Sequence, residues 1–169
     1  MNYERYLLIA FIAIVVVIVS AIVILSNLEN VKTYNLVSVT PAQLKNIYGY
    51  NFYYKTYKKE FYNNSELNII YLNVIFGINK TFDLPIILCL YKFNYTIQAQ
   101  TYASFVTNLK YISGNYQGFS YKIAVLKKMT IALFYSGIYG GNLTFYQPCN
   151  SYNSALMALQ DQINDMEYS

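Results

Sequence analysis

The sequence predicts an α+β fold: one N-terminal transmembrane helix, then a domain with a mainly antiparallel sheet and helices packed on one face. Three observations predict it. Residues 6–25, YLLIAFIAIVVVIVSAIVIL, carry no charge. A helix of that length covers about 30 Å, the hydrocarbon thickness of a bilayer, while satisfying its own backbone groups. Downstream, alternating or continuous apolar runs bounded by turn residues read as strands. Helical spacing interrupts these runs without the regular alternation that a parallel βαβ sheet requires.

The apolar stretch is longer than the core of a cleavable signal, about 7–15 residues, and Val19-Ser20-Ala21 lies inside it and not at its polar edge. An uncleaved signal-anchor is therefore expected: residues 1–5 as a cytoplasmic n-region, 6–25 as the span, 26–33 as a polar linker and 34–169 as an extracytoplasmic domain. The flanking charges Glu4/Arg5 and Glu29/Lys32 nearly balance, so they do not orient the span. The sequons Asn63-Asn64-Ser65, Asn79-Lys80-Thr81, Asn94-Tyr95-Thr96 and Asn142-Leu143-Thr144 all follow it, and so do Cys89 and Cys149. Glycosylation at Asn63, Asn79, Asn94 and Asn142 and paired thiols both suit an exterior.

Within the domain, residues 34–39 read as extended. Thr40-Pro41-Ala42-Gln43 is a helix start, with a Thr cap, Pro at the first helical position and Gln closing a capping box. Gly49 ends that helix. Residues 51–62 alternate as a strand, with Phe52, Tyr54 and Thr56 on one side and Tyr53, Lys55 and Tyr57 on the other. Residues 67–76 form a second strand. Pro85 is read as a stop before a third at 86–93, which carries Cys89. Helical spacing is expected over 96–112, through Tyr102, Phe105, Val106, Leu109 and Ile112, and Ser113-Gly114-Asn115 ends it. Strands follow at 119–126, 130–135 and 143–147, joined by Lys127-Lys128 and by the loop 136–142. A last helix starts at a cap on Asn153 or Ser154 and reaches about Met166, with Leu156, Leu159, Ile163 and Met166 inward.

Charged residues are 12% of the chain, about half the usual share, while aromatics are 18%, with 21 Tyr and neither Trp nor His. Residues 31–160 hold eleven Lys against Glu60, Glu66 and Asp83, a net charge of +8. A surface that relies so little on carboxylates changes little when acid protonates them, which suits an acidic exterior; an AT-rich genome, which inflates Lys, Asn, Ile and Tyr, accounts for the composition equally well. The short apolar anchor, the Tyr/Ile/Asn-rich domain, the sequons and the segment Val39-Thr40-Pro41-Ala42-Gln43-Leu44-Lys45-Asn46-Ile47-Tyr48-Gly49 together resemble single-span surface proteins of thermoacidophilic, Sulfolobus-type archaea. The resemblance implies a topology and a habitat, not an activity.

The absence of His excludes a Ser-His-Asp triad, a Cys-His pair and a His-x-x-x-His zinc helix. No catalytic residue, metal site or cofactor is expected. Glu60, Glu66 and Asp83 leave only a carboxylate-pair hydrolase as an enzymatic alternative. Asp161 and Asp165 read as a polar outward face. A Cys89–Cys149 bridge would close a loop of about 60 residues and contribute roughly 4 kcal/mol, the alternative being two independent thiols. Tyr53, Tyr54, Lys55, Tyr57, Lys58 and Lys59 interleave rings and cations, as a strand that binds an anionic ligand or as an edge strand guarded by Lys. Among ligands, envelope glycans rank ahead of lipid headgroups, and nucleic acid comes last. The expected function is thus a membrane-anchored, glycosylated surface protein that binds an envelope protein, glycan or membrane partner without catalysis. A toxin or immunity factor in archaeal competition is the alternative.

Overall fold

Thr40 initiates the first described helix as its sequence requires. The structure is a computed structural model and describes residues 33–63, 68–78, 82–93 and 109–168. The Gln43 amide N–H donates to Thr40 Oγ1, and Thr40 N–H donates to Gln43 Oε1 at 2.7 Å, so the capping box closes in both directions. This helix, α1 (Pro41–Tyr48), ends at Gly49, whose φ of +77° lets its N–H reach the Lys45 carbonyl at 2.8 Å.

Seven strands follow: β1 (Phe52–Asn63), β2 (Asn68–Ile78), β3 (Phe82–Lys92), β4 (Ile112–Tyr116), β5 (Phe119–Val125), β6 (Met129–Ser136) and β7 (Tyr139–Tyr146). They form one antiparallel sheet in the order β1-β2-β3-β7-β6-β5-β4, so β1 and β4 are its two edges. A terminal helix, α2 (Tyr152–Tyr168), completes the described chain. The chain divides into two compact units, 1–33 and 34–169, and all of these elements belong to the second.

The register explains which residues form the core. Leu72, Val74 and Phe76 of β2, Ile86, Leu88 and Leu90 of β3, Leu143 and Phe145 of β7, and Ala132 and Phe134 of β6 share one face and are fully buried. Onto this cluster α2 lays Ala155, Ala158, Leu159, Ile163 and Met166. Each buried Leu or Phe contributes about 1.5–3 kcal/mol of transfer free energy. The extended segment 34–39 is fastened to α2 by polar contacts. Asn35 N–H donates to the Met166 carbonyl, and the buried Gln162 amide accepts from Val39 N–H at 2.8 Å while donating to the Val37 carbonyl at 2.7 Å. Gln162 thereby acts as a one-residue strand for a segment that pairs with no strand among the described residues.

Several expectations are corrected. The described residues are mainly β, a seven-stranded antiparallel sheet with two helices, in place of the α+β arrangement with a membrane-spanning helix. No helix among them is long and apolar enough to cross a membrane, and the stretch 6–25 lies outside them. The helix expected over 96–112 falls mostly outside them too, but its end does not. Ile112 opens β4, which pairs with β5 through a two-residue turn where Gln117 and Gly118 both have positive φ. Gly114 does not stop a helix there; it leaves room for the Tyr121 side chain, whose hydroxyl and ring edge a Cβ at this position would strike.

The loop expected over 136–142 shrinks to a two-residue turn at Gly137-Ile138, because Gly140 and Gly141 are strand residues of β7. A side chain at Gly141 would strike the Phe134 ring and the Cys89 carbonyl, so glycine is required by close packing and not by a turn. Pro85 likewise lies inside β3, not before it. The β2–β3 register is irregular between Phe76↔Ile86 and Ile78↔Phe82, so Pro85 sits where no ladder hydrogen bond is needed. The cap of α2 is Ser151: its carbonyl accepts from Ala155 N–H and its hydroxyl from Ser154 N–H.

Candidate binding face on the edge strand

The alternation in 51–62 forms a strand, but one face change redistributes its side chains. The pairing runs Phe52↔Ile78, Tyr53↔Gly77 and Tyr54↔Phe76, then resumes at Thr56↔Ile75 and Tyr57↔Val74, leaving Lys55 as the extra residue of a β-bulge. Simple alternation puts Tyr54 and Tyr57 on opposite faces; the bulge puts them on the same one. From there Tyr57, Lys59 and Phe61, opposite Val74, Leu72 and Ile70, continue along the core-side face, while Thr56, Lys58 and Glu60 turn to the other.

Two surfaces result. On the core-side face Tyr54 and Tyr57 meet edge-to-face at 5.6 Å and 86°, and Tyr54 lies against buried Phe76 at 5.3 Å. Tyr54 is 42% exposed, Tyr57 52% and Phe61 75%, so these rings stand at the open rim beyond the cover of the core. On the opposite face Tyr53 lies across Gly77. There Lys58 Nζ pairs with Glu60 Oε1 at 2.7 Å, and Tyr71 OH donates to the other Glu60 oxygen. Tyr71 stacks near Tyr91, which stacks on Phe93 at 5.8 Å. The Lys58–Glu60 pair is exposed, so solvent screens it and it orients the two side chains more than it stabilises the fold.

Of the six residues singled out in the sequence, Tyr54, Tyr57 and Lys59 come together, Tyr53 and Lys58 face the other way, and Lys55 marks the bulge. Phe61 joins the row although the sequence block ended before it. Its i+2 relation to Lys59 and i+4 relation to Tyr57 was visible; the bulge that adds Tyr54 to them was not.

The two cysteines do not form the expected bridge, and both are free thiols. Cys89 is paired with Asn73 and Asn142, on the face opposite Leu88 and Leu90, whereas Cys149 is buried in the core cluster. The sheet itself separates them, and disulfide geometry cannot span it. Burial pushes the Cys149 thiol up to about 12 and also raises Cys89, against a hydrogen bond from Tyr91. Labelling the denatured, unreduced protein with a thiol alkylator is therefore expected to modify both cysteines, and in the native protein Cys149 reacts slowest. A chain that takes label only after reduction would restore the bridge.

Among the described residues, Glu60 and Asp83 do not come together as a hydrolytic pair needs. Glu60 is opposite Tyr71, while Asp83 adjoins the Phe82↔Ile78 pair, seven β2 residues away and roughly 23 Å at about 3.3 Å per residue. A carboxylate pair works within about 10 Å. Glu66 lies outside the described residues, as do the sequon positions Asn79 and Asn94. Asn63 closes β1, and Asn142 is half-buried in mid-sheet β7 between Cys89 and Leu133.

Asp165 departs from the expected outward face. Its Oδ1 accepts from Gln43 Nε2 at 3.0 Å, linking α2 to the capping box of α1, and its Oδ2 is buried with no hydrogen-bond partner among the described residues. Burial raises its pKa, against the Gln43 hydrogen bond, and burial followed by the Asp165 charge raises that of Asp161. Because the folded state takes up these protons before the unfolded chain does, stability rises as pH falls through the raised values towards the ordinary carboxylate value of about 3.9. The denaturation midpoint is expected to increase between pH 7 and pH 4, and D165N is expected to flatten that increase. A midpoint that falls on acidification through this window would contradict the placement of Asp165.

The chain matches no protein-family model, no curated protein and no solved structure with which it was compared.

Proposed function

We propose that this chain is a non-enzymatic surface protein, held at a membrane through its apolar stretch 6–25, whose 34–169 unit binds another component of the cell envelope along β1. The observation that carries this reading is the row Tyr54, Tyr57, Lys59 and Phe61: large rings left exposed on an edge strand, with the Lys59 cation on the same face. Isolated exposed apolar residues are ordinary, but a contiguous row of them is a mark of recognition surfaces. The net positive charge of the unit favours an anionic partner. The likeness to surface proteins of thermoacidophilic archaea and the sequons beyond the apolar stretch support an extracytoplasmic setting.

The test is recovery of a partner from an envelope extract by the immobilised full chain. A defined component is expected to bind, and the K55Q/K58Q/K59Q triple variant is expected to retain much less of it. Recovery unchanged by neutralising the three lysines would remove β1 from the binding face, and recovery of nothing by the wild-type chain would defeat the reading itself.

A further inference from the structure

We propose that the ligand of the β1 row is an acidic polysaccharide, a saturated sugar chain bearing carboxylate or sulfate groups. This deepens the reading of β1 as a binding strand and rests on it. Tyr54 to Phe61 extends over about 20 Å of strand, which suits a linear polymer and exceeds a small molecule.

The geometry then selects among polymers. A partner strand is disfavoured: the Lys55 bulge distorts the edge ladder, and lysines at 55, 58 and 59 guard it, the devices by which edges resist strand addition. The same lysines oppose a second copy of this edge by like-charge repulsion. A nucleic acid strand needs successive ring faces on which planar bases lie flat. Tyr54 and Tyr57 instead stand at 86° and form a corner with one ring face and one ring edge. A puckered sugar ring fits such a corner, because it presents C–H groups to the aromatic face and hydroxyls to the rim. Lys59 lies between Tyr57 and Phe61 on the same face, while the single carboxylate of the strand, Glu60, is turned to the other face and engaged by Lys58 and Tyr71. The row is therefore positive as well as aromatic, and acidic sugars satisfy both properties.

The experiment measures binding of the detergent-solubilised full chain to immobilised polygalacturonate, with dextran as the neutral polymer and anionic phospholipid vesicles and poly(dT) as the other anions. Selective, salt-sensitive binding to polygalacturonate is expected. Y57S is expected to weaken it about tenfold or more, the scale of losing one stacking ring. K59Q is expected to reduce its salt dependence. K127Q, a matched charge loss on the β5–β6 turn, is expected to leave it unchanged. Equal binding to dextran, tighter binding to vesicles or poly(dT), no binding to polygalacturonate, or insensitivity to both Y57S and K59Q would each overturn the proposal. If the envelope extract yields a partner while polygalacturonate does not bind, the ligand class is wrong and β1 recognition stands; if the extract yields nothing, the underlying reading fails first.

Discussion

Gly141→Ala is expected to lower stability by about 2–3 kcal/mol, although alanine ordinarily stabilises a strand relative to glycine. The added Cβ would lie 2.6 Å from Phe134 Cζ, 2.9 Å from the Cys89 carbonyl oxygen and 2.9 Å from Leu90 Cδ2. Two of those are side chains that can move. The third is backbone of the adjacent β3 in the middle of the sheet, so relief requires β3 and β7 to separate. The neighbouring glycine supplies the contrast. At Gly140 the nearest atom would be 3.5 Å away, an ordinary contact, and its φ is not positive. Gly140→Ala is expected to be neutral or to stabilise by up to about 1 kcal/mol through the entropy of the unfolded chain. Denaturant midpoints of the two variants check both the magnitude and the difference in sign; equal effects would mean that β7 does not pack as described.

Gln162→Leu is expected to cost about 2–4 kcal/mol. The side chain is fully buried, and its amide serves two backbone groups, Val39 N–H and the Val37 carbonyl. Leucine fills similar volume but leaves both groups buried and unpaired, each at about 1–3 kcal/mol. The loss should be local at first. Amide exchange at Val39 is expected to accelerate before the sheet is affected, because the segment 34–39 depends on α2 for its fastening. Full retention of stability would show that the segment is held by the packing of Tyr34, Leu36 and Val39 alone.

What the sequence made legible follows from the range over which each signal acts. The Thr40–Gln43 capping box and the Gly49 stop are complete within ten residues, and both form. The strand character of β2 needed only its own apolar run. The misreadings arise where a distant chain decides. Gly140 and Gly141 looked like a loop because glycine in a sequence signals turns, whereas both are strand residues and at Gly141 Phe134, Leu90 and the Cys89 carbonyl demand the space. Ile112 fitted a helical stripe, yet pairing with Ile123 of β5 claims it for a strand. Gln162 gave no sign of its role, since the backbone groups it serves lie more than 120 residues earlier.

The same distinction governs the candidate site. Tyr and Lys interleaved over 53–59 were plain in the sequence, but their division between two faces was not. It depends on one extra residue, Lys55, inserted against β2 between Phe76 and Ile75. Without that bulge, alternation assigns Tyr54 and Tyr57 to opposite sides and leaves no row. Cys89 and Cys149 fail as a pair for a related reason: strand parity turns Cys89 away from the face that buries Cys149, and sequence separation carries no information about faces.

Hydrogen–deuterium exchange on the full chain, alone and with the component recovered from the envelope extract, tests most directly whether β1 is the binding strand. Among the described residues β1 (52–63) and β4 (112–116) are the two edges of the sheet, so each serves as the control for the other. Slowed exchange in β1 with β4 unchanged is the expected result. Slowed exchange in β4, or in neither edge while the component is bound, would contradict it.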